Sequence, residues 1–85
     1  MDVLKIYDVD SRTMEEYKEG RRTSLMIQLQ EPPFIGLKVI FIEAETDPPQ
    51  PEPWMIFGRV TNIINLSCFL STQNYYTLTL EIQPE

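Results

Sequence analysis

The prolines decide first what this chain can become. Four of the seven fall within the eight residues "TDPPQPEP" (Thr46 to Pro53), and two more stand side by side in "EPPF" (Glu31 to Phe34). Proline has no N–H to give a helix or a sheet ladder, so neither stretch can lie inside a regular element. Thr46 to Pro53 is therefore expected to be an extended surface connection, and any strand that approaches Glu31 must stop there. What remains is short segments, and 85 residues hold one domain with one core.

Hydrophobic spacing assigns those segments. Asp2 to Asp8, "DVLKIYD", reads as a first strand. In "DSRTMEEYKEG" Thr13 is followed three residues later by Glu16, a capping-box spacing, and Gly20 suits the left-handed position beyond a helix end. The spacing predicts a helix from Met14 to Glu19 with Met14 and Tyr17 facing the core. From Ser24 to Gln30 the letters alternate, which sets Leu25, Ile27 and Leu29 on the buried face of a strand. "IGLKVIFIEAE" is apolar on both faces through Val39, Ile40, Phe41 and Ile42, the pattern of a central strand covered on two sides. "WMIFGRVTNII", from Trp54, is a fourth strand in which Gly58 is expected to mark a bulge or a sharp coil. "NYYTLTLEI", Asn74 to Ile82, is a fifth, with Tyr76, Leu78, Leu80 and Ile82 inward. The expected fold class is α+β: a small curved, barrel-like sheet of five or six strands with one short helix.

Charge and composition narrow the chemistry. Thirteen acids against seven bases give a net charge of −6, which repels a phosphate backbone before any local contact forms. Six of the bases (Lys5, Arg12, Lys18, Arg21, Arg22, Lys38) precede residue 39, so a basic spot on the first half stays open. With no histidine the chain lacks the imidazole of catalytic triads and the commonest zinc ligand, and Cys68 is alone, without partner for a disulfide. No metal or cofactor is expected. No leader-like or membrane-spanning run is visible, and the expectation is a cytoplasmic chain without membrane contact, a monomer or a small homo-oligomer.

The order of these parts resembles the ASCH domains of the PUA-like superfamily. The letters that carry the resemblance are "EYKEGRRT", "FIGLKVIFIEAE", "FGRVTNII" and "YYTLTLEI", over roughly Asp8 to Ile82, in pattern and not in identity. It implies a curved sheet closing beside a helix, with a cleft that in relatives binds RNA or modified bases or hydrolyses an acylated cytidine nucleoside. Laid on the family motif GxKxxExR, Gly20 matches the glycine, Arg22 takes the lysine, Leu25 the glutamate and Ile27 the arginine. The acid that follows the second glycine is here Leu37. Arg22 stays protonated and cannot act as a base, so the resemblance implies a fold kept and a chemistry lost.

Two groups of candidate site residues follow. Trp54, Met55 and Phe57 are large apolar side chains beside a preordered segment, flanked by the acidic run Glu43, Glu45, Asp47 and Glu52, a composition that suits a protein partner. The plainer reading is that Trp54 plugs one end of the barrel. Arg21, Arg22 and Thr23, with Arg59, form the alternative, a contact for RNA or a nucleotide. Against it, a helix C-terminus carries partial negative charge, and arginines there complement the macrodipole. The expectation from sequence is a small, acidic, non-enzymatic binding protein that docks to another macromolecule, as a phage or mobile-element inhibitor or adaptor would. The alternatives are an ASCH-like nucleotide or RNA cleft and, third, an acyl-nucleoside hydrolase.

Overall fold

The structure, a computed structural model, describes residues 2–44, 54–67 and 73–83. The proline run and the candidates Glu45, Asp47 and Glu52 lie outside the described residues, as does Cys68. The elements are β1 (Val3–Val9), α1 (Ser11–Lys18), β2 (Ser24–Gln28), β3 (Lys38–Glu43), β4 (Met55–Asn65) and β5 (Tyr75–Gln83). They form a five-stranded sheet in the order β1-β3-β4-β5-β2, curled into a half-barrel. β1 runs parallel to β3, and the three other pairings are antiparallel. A parallel pair needs a long crossover, and the chain supplies it by way of α1 and then β2, which lies on the opposite edge of the sheet.

Register carries the sequence alternation into the core. Leu4, Val39, Gly58 and Ile82 share one row across four strands. Gly58 is the gap in that row. A Cβ there would stand 3.2 Å from Ile82 Cδ1 and 3.3 Å from the Glu81 carbonyl oxygen, so the missing side chain lets β5 approach closely at this point. The register shift that the sequence suggests at Gly58 falls instead between Val60 and Asn62. Leu25 and Ile27 of β2 sit half-buried against the core, opposite Leu78 and Tyr76.

The helix starts earlier than the capping-box spacing predicts. Asp10, not Thr13, is the N-cap, and its Oδ1 accepts the Thr13 N–H at 2.8 Å. Aspartate caps at least as well as threonine, and the extra turn leaves Glu16 in the helix body, where it meets arginines. The far end is as expected. Gly20 takes φ +77°, its N–H donates to the Tyr17 carbonyl at 3.2 Å, and the Arg21 N–H donates to the Glu16 carbonyl at 2.9 Å, which together make a Schellman motif. α1 packs on the buried face of β3: the Tyr17 ring stacks on Phe41 with centroids 4.3 Å apart, and the Tyr17 hydroxyl donates to the Ser24 carbonyl at 2.8 Å. Burial of the ring also pushes the Tyr17 phenol above its usual range. Met14, Tyr17 and Phe41 are buried, and each such side chain contributes about 1.5–3 kcal/mol.

One helix can cover only one face. On β3, Val39 and Phe41 are buried, whereas Ile40 and Ile42 on the outer face are half-buried. The two-sided cover expected for this strand is not found among the described residues. Neighbouring side chains partly shield the outer face, and the Lys38 ammonium lies 5.0 Å from the centre of the Phe57 ring. No described helix is long and apolar enough to cross a membrane.

Candidate functional site

β2 and β5 part company before β5 ends. Their last residue pair is Ser24 with Thr79, and the last hydrogen bond runs from the Leu80 N–H to the Thr23 carbonyl at 2.7 Å. Upstream of Thr23 the chain turns away through the Schellman motif into α1. β5 continues to Gln83 with β4 alone at its side, pairing Glu81 with Arg59, Ile82 with Gly58 and Gln83 with Phe57. Alternate residues of an antiparallel strand direct their N–H and C=O the same way, so the groups of Ile82 point toward the side that β2 has left. No strand pairs with them among the described residues.

The space so left is a groove of about 710 Å³. Tyr17 to Gly20, Arg22 and Thr23 form one wall, Leu80 to Gln83 the other, and Trp54, Met55 and Ile56 the end between them. Ile56 and Leu80 belong to the buried core, and Trp54 and Ile82 pack against it. Trp54 is fixed from two sides: its carbonyl accepts the Glu43 N–H at 2.9 Å, and the Lys18 ammonium sits 4.9 Å from its ring centre.

The charged residues of the wall differ in what holds them. Arg22 reaches back to Glu16, its Nε 2.8 Å and its Nη2 2.6 Å from Oε2, and this carboxylate raises the guanidinium above its usual range. Arg12 approaches the same glutamate at 3.6 Å. Arg21 pairs with Glu19 at 2.8 Å. Among the described residues Lys18 enters no ion pair, and its charge faces only the Trp54 ring.

The two candidate groups are thus redistributed. Trp54 and Met55 of the first join Arg22 and Thr23 of the second in one groove. Phe57 and Arg59 do not join them. Arg59 Nη1 donates to the Gly36 carbonyl at 2.9 Å, supporting the turn in which the Leu37 N–H bonds the Phe34 carbonyl and Gly36 takes φ +90°. That turn needs glycine at its third position. Glu43 is half-buried at the end of β3 and reaches the site through its backbone bond to Trp54. Arg21, exposed, is engaged with Glu19. The sequence reading missed Lys18, Ile56 and the end of β5. The alternating letters gave no signal for the last, because the tracts read from them, Ser24 to Gln30 and Asn74 to Ile82, do not show where the pairing stops.

No family model matches the chain, and no curated protein matches it. The geometry alone carries the functional reading.

Proposed function

We propose that this chain is a non-enzymatic binding protein that docks to a protein partner through the groove between α1 and the end of β5, with Trp54 as its anchor. The observation that carries the reading is a groove partly lined by core side chains, at the end of which a tryptophan is held in place by a backbone bond and a lysine. A fixed aromatic ring loses little freedom on binding, and tryptophan is enriched where truncation costs an interface most. Glu19 and Arg22 are tied into ion pairs on the helix, which suits recognition better than proton transfer. A docking protein of this size acts by occupancy, as an inhibitor or an adaptor.

The second reading keeps an ASCH-like cleft for RNA or a nucleotide, and with it a PUA-like ancestry for the fold. It is favoured by Lys18, Arg22 and Thr23 sharing one wall. Two features weigh against it: Glu16 already engages Arg22, and a helix C-terminus, with its partial negative charge, borders the same wall.

Affinity capture from a lysate, with retained protein and RNA both measured, separates the two. Protein held by the natural chain and released by Trp54→Ala is the expected outcome. RNA held in a strongly salt-dependent way and lost in Arg22→Glu would replace this reading with the second.

A further inference from the structure

We infer that the partner enters the groove as an extended peptide, adding a strand to the open edge of β5 at Ile82 and setting an acidic side chain against Lys18. The inference deepens the docking reading and rests on it.

The argument begins with backbone groups. The N–H and C=O of Ile82 face the gap beyond β2, in a wall whose neighbouring side chains are those of Leu80 and Ile56. A row of unpaired strand groups is a template for another strand, and natural sheets usually blunt it with a proline, a lysine or a bulge. On Glu81 to Gln83 none of these is present. The next residue, Pro84, has no N–H, so an added ladder is confined to the stretch around Ile82. A helix would leave these groups unmet, because its own backbone is satisfied internally; an extended chain meets them and places alternate side chains toward the groove floor.

Charge sets the second requirement. On the helical wall Glu19 is matched by Arg21, and Arg22 by Glu16, which among the described residues leaves Lys18 as the cation without an ion pair. Of the carboxylates near it, Glu16 and Glu19 are already engaged, Glu15 stands one turn back on the exposed side of α1, and Glu81 stands on the opposite wall, in register with Arg59. A carboxylate on the incoming strand therefore finds a partner at Lys18 without displacing an existing pair.

The test selects binders from a random peptide library on the intact chain and measures them by the fluorescence of Trp54, the only tryptophan. The inference expects an enriched peptide with an acidic residue. N-methylation of one alternate set of its amides should weaken it on the order of tenfold, and methylation of the intervening set should leave it unchanged. Lys18→Glu should weaken the same peptide, and the Ile82 amide should become protected from hydrogen exchange in the complex. A peptide that binds and quenches Trp54 yet tolerates N-methylation everywhere would overturn strand addition while leaving the docking groove intact. Failure to enrich any peptide beyond what Trp54→Ala enriches would overturn it too. Protection of Ile82 that grows with chain concentration alone would assign the edge to a second copy and overturn the peptide. The docking reading itself fails separately, if Trp54→Ala leaves protein capture unchanged.

Discussion

The two halves of β5 carry the same alternating letters and meet different fates. From Tyr75 to Thr79 the strand lies between β2 and β4, with Tyr76 and Leu78 buried. From Glu81 to Gln83 it has β4 alone, and Ile82 is half-buried beside the groove. Nothing in β5 itself makes the difference. It comes from the other side of the sheet, where the helix stop at Gly20 and the turn through Arg21 and Arg22 fix where β2 can begin. Gly20 to Thr23 thus act as punctuation, and the punctuation opens the groove.

Substitutions along this strand test the contrast. Leu78→Ala, in the doubly paired half, should cost about 2–5 kcal/mol in urea unfolding, because the side chain is fully buried and the sheet around it cannot collapse. Ile82→Ala, in the singly paired half, should cost about 1 kcal/mol, since roughly half of the usual burial is at stake. Equal losses would mean that the halves are not energetically distinct. Gly20→Ala tests the origin of the difference: a side chain at φ +77° should cost about 1–2 kcal/mol, and Gly20→Asn less, while a neutral alanine would show that the turn is not held in the left-handed region.

The smallest expected effect lies at the other end of α1. Hydrogen bonds from Thr13, side chain and backbone, hold the Asp10 carboxyl below its usual value of 3.8. The folded chain then binds fewer protons than the unfolded one, so the contribution is present above that value and is lost as pH falls through the folded pKa. Unfolding midpoints followed from about pH 5 to pH 2 should lose part of this acid-side decline in Asp10→Asn, which can still cap. An identical decline in both chains would remove Asp10 from the account.

The same physics explains what could be read beforehand. The inward residues of β2 and β5 were legible because a period of two records which side of a half-buried strand faces the core, and Leu25, Ile27, Leu78 and Leu80 obey it. Met14 and Tyr17 were legible at helical spacing, but the start of α1 was not. Asp10 and Thr13 each stand three residues before a residue they could cap, and only packing of the longer helix chooses between them. β3 misled because apolar letters on both faces record hydrophobicity and not cover; Ile40 and Ile42 are tolerated half-exposed. The groove was the least legible feature. It depends on the register between strands some fifty residues apart in sequence, Ser24 against Thr79, and no local pattern encodes where that pairing ends.

Amide exchange in the free chain tests the central claim most directly. The N–H groups of Leu78, Leu80 and Ile82 all face the β2 side of β5. Leu78 and Leu80 should exchange slowly, and Ile82 should exchange as an open edge does. Protection of Ile82 equal to that of Leu80, with no partner added, would contradict the account, because the edge would already be closed.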